Sequence, residues 1–250
     1  MRKLYQTEWH GIPFTSFATL SSHRLADALF YKSFYQTFFQ TYQDWEELDS
    51  DWVKLKLLTA TFLKQFIGSD RGRKILSIGC GTGIIEKNLM DEGFDNLEMT
   101  EIADEPLHWI KPHVSQEKIH IGSFPSCLPQ EKRYHLIYLA GVEYYLDQPQ
   151  LINFLKDVKF YLYPQGSCLM ISWSYYFTSW IKSFLHGSID IVKYFCERAG
   201  LRHRGQWWGY LRKSEEFHQA MSSAGFKEIY DGFLAKTGQW DTYWISGSKE

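Results

Sequence analysis

Residues Lys74 to Gly83 read Lys-Ile-Leu-Ser-Ile-Gly-Cys-Gly-Thr-Gly. The apolar run Ile75 to Ile78 predicts a buried parallel strand, because a strand covered on both faces shows no polar alternation. Glycines at alternate positions, Gly79, Gly81 and Gly83, end it abruptly. Without Cβ atoms they predict a tight loop on whose backbone a small molecule can lie. Ile84 to Met90 reads as the first turns of a helix whose free N–H groups face back to that loop. Strand, glycine loop and helix together point to an α/β sheet with a small-molecule site at the carboxyl end of a strand.

The rest of the chain continues the alternation. Strands are expected at Leu97 to Glu101, Ile119 to Gly122, Tyr134 to Leu139 and Ser167 to Trp173. Between the last two, Asp147 can cap a helix from Pro149 to Tyr161, with proline in its first turn. Phe226 to Leu234 and Gln239 to Gly247 read as a closing antiparallel pair, preceded by a helix Glu215 to Ala224 that Ser214 can cap. The fold class expected is therefore α/β, a mostly parallel sheet with helices on both faces and a terminal antiparallel hairpin. Residues 1–70 read as a helical N-terminal lid or extension, with helices from Leu25 and from about Asp51 to Ile67. Residues 71–250 form the main domain, carrying a helical and aromatic insertion at about 175–212.

Composition removes several function classes. There are 27 basic and 29 acidic residues, a net charge of -2, which offers nucleic acid no bulk attraction. Cys80, Cys127, Cys168 and Cys196 are scattered without Cys-x-x-Cys spacing, so neither a zinc site nor a disulfide framework is expected. Free thiols suit a reducing cytoplasm, the expected location. Met1 to Phe14 has no signal-peptide core, and the best apolar candidate for a span, Tyr175 to Phe195, is broken by Lys182, His186, Asp190 and Lys193. Aromatic residues are abundant at 18% and suit a pocket for a small apolar or cationic ligand.

A dinucleotide fingerprint would be Gly-x-Gly-x-x-Gly, and its third glycine position here is Ile84. The observed Gly-x-Gly-x-Gly after an apolar strand instead resembles the first motif of the class I S-adenosylmethionine-dependent methyltransferases. The order of elements from about Arg73 onward is similar to that family's seven-stranded, Rossmann-like plan. The resemblance implies S-adenosylmethionine as cofactor, S-adenosylhomocysteine as product and no metal. It places the cofactor on Gly79, Cys80, Gly81, Thr82 and Gly83. Glu101, with Ile102, falls where the family's acidic residue accepts hydrogen bonds from the two ribose hydroxyls. Ser123 and Phe124 stand where an acid commonly meets the adenine, so the hydroxyl and the ring would have to serve. Leu139, Ala140 and Tyr144, in the segment after the fourth strand, would lie beside the methionine part.

Methyl transfer from a sulfonium is an in-line displacement that needs positioning and, for some acceptors, removal of one proton. Candidate bases are Glu143, Tyr144, Tyr145 and His203. The acceptor would meet Tyr31 and Tyr35 on the N-terminal helix, Trp173 and Tyr176 after the fifth strand, and Trp207 and Trp208 before the last helix. No Asn/Asp-Pro-Pro-Tyr/Phe segment follows the fourth strand, which argues against a flipped-base substrate. A small-molecule acceptor, methylated on oxygen or nitrogen, is therefore expected, with no nucleic-acid or membrane-spanning role. Two alternatives stand beside it: a catalytically degenerate cofactor- or partner-binding protein, and a protein or peptide methyltransferase.

Overall fold

The N-terminal region is not purely helical. In the computed structural model, which describes residues 2–17, 27–174, 180–201, 205–237 and 240–250, strand β1 (Arg2–Gln6) comes first. A short hairpin, β2 (Glu8–Trp9) and β3 (Ile12–Pro13), follows it. Helix α1 (Ala28–Thr41) starts at Asp27, whose carboxylate accepts the Phe30 N–H at 2.9 Å. Its buried Tyr31, Phe34, Tyr35 and Phe38 repeat at helical spacing and face one way. Helix α2 (Ser50–Ile67) is capped by Asp49, buries Leu55, Ala60, Leu63 and Ile67, and stops at Gly68 with φ +79°.

The main domain supplies β4 (Ile75–Ile78), α3 (Ile84–Asp91), β5 (Leu97–Glu101), β6 (Ile119–Ile121) and β7 (Tyr134–Ala140). Helix α4 (Gln148–Tyr161) opens with a capping box between Asp147 and Gln150. Then come β8 (Leu162–Ser174), α5 (Trp180–Arg198), β9 (Gln206–Leu211), α6 (Ser214–Ser223), β10 (Lys227–Thr237) and β11 (Trp240–Ser248). Seven of these strands form one sheet in the order β10-β11-β8-β7-β4-β5-β6. β4 pairs in parallel with β5 and β7, while β11 is antiparallel to both β8 and β10. This is the Rossmann-like fold with a terminal hairpin that the sequence implied. All four residues of β4 are buried, which explains its unbroken apolar run. The chain leaves β4 toward β5 and β6, then returns to β7 on its other side. That reversal opens a crevice above the carboxyl end of β4.

Three details differ from expectation. β1 pairs antiparallel with β9, and the segment with the tryptophan pair is thereby a strand inside the stretch expected as a helical and aromatic insertion. No α-helix fills the connection from β5 to β6, which is made of short 3-10 turns such as Glu105–His108. Ser214 does not cap α6: its hydroxyl bonds the Asp231 carboxylate, and the cap position falls to Lys213, whose N–H donates to Glu216 at 2.9 Å.

Candidate active site

The glycine loop is held open by backbone geometry and close packing. Gly79, Gly81 and Gly83 have φ of +69°, +58° and +80°, values that side-chain-bearing residues adopt only with strain. A Cβ on Gly79 would stand 2.4 Å from Val142 Cγ2, and one on Gly83 would stand 2.5 Å from Ile110 Cβ. These two glycines therefore let the loops after β7 and β5 close in. Gly81 is different. A Cβ there would face the Tyr35 hydroxyl at 3.4 Å, across the crevice. The Gly79 and Cys80 N–H groups donate to the Thr100 carbonyl at 2.9 and 3.2 Å and tie the loop to β5.

Glu101 closes this cradle. Its Oε2 accepts the Gly81 N–H and its Oε1 the Ile102 N–H, each at 2.9 Å. Burial raises its carboxyl to a pKa of about 7, although both N–H groups pull it back. Glu98, three residues earlier on β5, is a contrast. Burial raises it too, but hydrogen bonds from His120, Lys132 and Tyr134 outweigh burial and hold it at about 2. Glu98 is thus committed to the sheet, and Glu101 keeps oxygen lone pairs for the crevice.

A cavity of about 280 Å³ lies above the loop. Of the residues expected to hold the cofactor, Gly79, Cys80, Gly81, Thr82, Glu101, Ile102, Ser123, Phe124, Ala140 and Tyr144 line it. Gly83 and Leu139 stand outside the lining: Gly83 is the helix cap of α3, and Leu139 is fully buried in the core. Phe124 packs against Phe154 with ring centroids 5.2 Å apart, at the end of the cavity beyond β6.

On the β7 side Tyr144 and Tyr145 place their hydroxyls 2.7 Å apart, and the Tyr31 ring meets Tyr145 edge-on at 5.7 Å. Burial pushes all three phenols well above their ordinary range, so they are protonated donors at neutral pH. Glu143, expected as a candidate base, does not reach the cavity. It is fully buried and outside the lining; burial raises its pKa, while Ser172 and Arg212 lower it. Arg212, itself 1% exposed, donates to the carbonyls of Glu143 and Leu146 and to Gln148. It pins the turn that carries the tyrosines. β9 rests on the same turn: a Cβ on Gly209 would fall 2.4 Å from the Tyr144 ring.

The N-terminal elements roof the cavity. Tyr31 and Tyr35 line it as expected, but Trp9, His10, Trp52 and Lys56 also do, and sequence reading missed all four. Trp9 stacks on Phe34 with centroids 4.1 Å apart, and His10 meets Trp52 edge-on at 4.9 Å. His10 has φ +50° in the turn between β2 and β3, a left-handed value uncommon outside glycine. Burial, helped by Lys56, lowers its pKa to about 4, so its imidazole is neutral. Lys56 lies four residues after Trp52 on α2, its Nζ 5.2 Å from the indole centroid. That spacing was the available signal, but it looks like any half-exposed helix face. Tyr176 and His203 lie outside the described residues, as do the side chains of Trp173, Trp207 and Trp208. Among the described residues, no His, Cys, Asp and Glu gather into a metal-holding group, and no helix is long and apolar enough to cross a membrane.

A family model described as a methyltransferase domain matches residues 45–233. The N-terminal Xaa-Pro-Lys N-methyltransferase 1 of Xenopus tropicalis is 27% identical over 153 residues, 56% of this chain and 68% of the relative. Among solved structures, the Synechocystis magnesium protoporphyrin IX methyltransferase with bound S-adenosylhomocysteine superposes with a TM-score of 0.60 at 11% identity. That match covers 88% of this chain and 96% of the other. Human N-acetylserotonin methyltransferase in complex with S-adenosylmethionine gives 0.51 at 18% identity, covering 96% of this chain and 60% of that one. At these identities the two structures speak for the fold alone.

Proposed function

This chain belongs to the methyltransferase-domain family and is an S-adenosylmethionine-dependent methyltransferase; from that premise we propose that it methylates a small-molecule acceptor held beneath its N-terminal roof. The observation that carries the proposal is a single cavity of about 280 Å³ whose floor is the glycine cradle and whose roof is aromatic. An aromatic roof over a backbone cradle suits a compact apolar or cationic acceptor.

The residues fit the cofactor. Gly81 has no side chain to fill the cradle, and the Glu101 carboxylate can accept two ribose hydroxyls while still holding its backbone donors. When bound, S-adenosylmethionine supplies a methyl carbon activated by its sulfonium, and the acceptor lone pair displaces the sulfur in line. The chain's own residues orient and exclude water. Trp9, Tyr31, Tyr35 and Trp52 present aromatic surface to a cationic centre. The Tyr144 and Tyr145 phenol oxygens can accept a hydrogen bond from an acceptor N–H and so aim the nitrogen lone pair without occupying it. His10 is neutral and does not repel the sulfonium. Among the described lining residues, no ionised carboxylate besides Glu101 is placed to take a proton. The arrangement therefore suits an acceptor that needs little base assistance, a carboxylate or an amine bound uncharged.

The N-terminal Xaa-Pro-Lys N-methyltransferase relatives favour a second reading, transfer to a peptide α-amine. Incubation with methyl-labelled S-adenosylmethionine decides between them. Label on members of a panel of small amines, phenols and carboxylic acids, and none on Xaa-Pro-Lys peptides, is expected. Label on the peptides alone overturns the small-molecule reading.

A further inference from the structure

Among the described residues lining the cavity, Lys56 carries the only Lys or Arg side chain. It does not come from a sheet strand or from a loop at the strands' carboxyl ends. It comes from α2, whose Leu55, Ala60 and Leu63 anchor that helix in the interior. The glycine loop itself, from Gly79 to Ile85, has no basic residue. The position of Lys56 along the cavity follows from its electrostatic neighbours. The carboxylates that most raise its pKa against burial are Glu86, in the first turn of α3, and Glu143, in the turn after β7. Helix α2 also packs Ala60, Leu63 and Ile67 among Ile75 of β4 and Leu136 and Tyr138 of β7, which sets Lys56 on the β4–β7 side of the crevice. Glu101 marks the β5 position, and Ser123 with Phe124 marks the far end beyond β6.

A cofactor lying across this edge with its ribose on Glu101 and its base toward Phe124 sends its amino-acid portion to the β4–β7 side. That portion carries the one negative charge of S-adenosylmethionine, an α-carboxylate. Burying a carboxylate without a cation or strong donors is unfavourable. Glu86 and Glu143 would repel it, and Glu86 is already engaged by the hydroxyls of Ser77 at 2.6 Å and Tyr138 at 2.7 Å. A lysine on the opposite wall, its ammonium held against the Trp52 ring, is the group that can offset this charge. We propose that Lys56 is the counter-ion of the cofactor's α-carboxylate, so that the N-terminal extension completes the cofactor site as well as roofing the acceptor. The proposal rests on the reading of this cavity as the S-adenosylmethionine cradle.

The test is titration calorimetry on the full chain with three ligands: S-adenosylmethionine, its decarboxylated form, and methylthioadenosine, which lacks the amino-acid portion. The wild-type protein should bind S-adenosylmethionine about tenfold to a hundredfold more tightly than the decarboxylated form, the range of a charge-assisted hydrogen bond. Lys56→Met should remove that preference and leave methylthioadenosine affinity within about twofold, while Lys56→Arg keeps part of it. Three results overturn the proposal. One is a wild-type protein that does not distinguish S-adenosylmethionine from its decarboxylated form, an outcome that requires no variant to fold. Another is a Lys56→Met protein with unchanged S-adenosylmethionine affinity, which would assign the ammonium to the acceptor. The third is an equal loss for all three ligands, which would make Lys56 a structural partner of Glu86 and Glu143. A wild-type protein that binds none of the three overturns the reading of the cavity itself, and so is distinguishable from failure of the Lys56 assignment.

Discussion

The floor and the roof of the cavity are built on opposite principles. The floor, Gly79 to Gly83 with Glu101, is made by backbone: positive φ angles, N–H groups aimed at one carbonyl, and a carboxylate clasped by two N–H donors. The roof, from Trp9 to Lys56, is made by side-chain packing: Phe34 is fully buried at its centre, with Trp9, Tyr35 and Phe38 around it. A backbone cradle tolerates almost no substitution and serves one ligand shape. A packed aromatic roof can be re-tailored residue by residue. In the proposed reading cofactor recognition belongs to the first region and acceptor choice to the second, with Lys56 as the link between them.

The largest effect is expected from Gly79→Val. Its side chain would overlap Val142 and force a β-branched residue to φ +69°. Cofactor binding should be lost at millimolar concentration in calorimetry, together with a lower melting temperature. Retained affinity would break the claim that the floor is rigid. Phe34→Ala tests the roof in the same way. Emptying a fully buried aromatic site should cost about 3–5 kcal/mol by chemical denaturation. If the two regions divide their tasks as described, acceptor KM should rise much more than methylthioadenosine affinity falls.

A titration sharpens the contrast further. Free Glu101 has its pKa raised from 4.5 to about 7, so in the unbound protein its protonated form favours folding. That contribution is full below pH 4.5 and fades as pH rises through 7. Ribose hydroxyls prefer the ionised form, so cofactor affinity should increase by roughly tenfold between pH 6 and 8, with proton release at the low end. Glu101→Gln should flatten this profile in calorimetry. The smallest effect is expected for Tyr35→Phe. Its hydroxyl faces Gly81 from the roof, and removing it should change cofactor affinity by less than about threefold.

The same contrast explains what was legible in the sequence. The floor could be read because its demands are written in residue types: glycine for positive φ, an acid at the end of β5, an apolar run for a doubly covered strand. Strands β4 and β5 fall where the pattern put them, and so does the Asp147 cap of α4. The roof could not be read because packing has no local signature. Trp9 and His10 sit on a two-residue hairpin strand and its turn, and β1 has its partner about two hundred residues away in β9. Glu143 was expected as a candidate base, and its burial away from the cavity could not be read because Arg212 reaches the same turn from after β9. Local motifs reveal groups that a ligand touches through backbone. Groups brought by distant elements become visible only in the fold.

The division of labour stands or falls on Glu101. Titration calorimetry with S-adenosylhomocysteine on the wild-type chain and on Glu101→Ala, with circular dichroism as a folding check, measures it directly. One site on the wild-type protein is expected, with affinity at least about a hundredfold weaker in a variant whose spectrum is unchanged. Equal affinity in the two proteins, or no binding to the wild type at millimolar ligand, would contradict the assignment of this cavity to the cofactor.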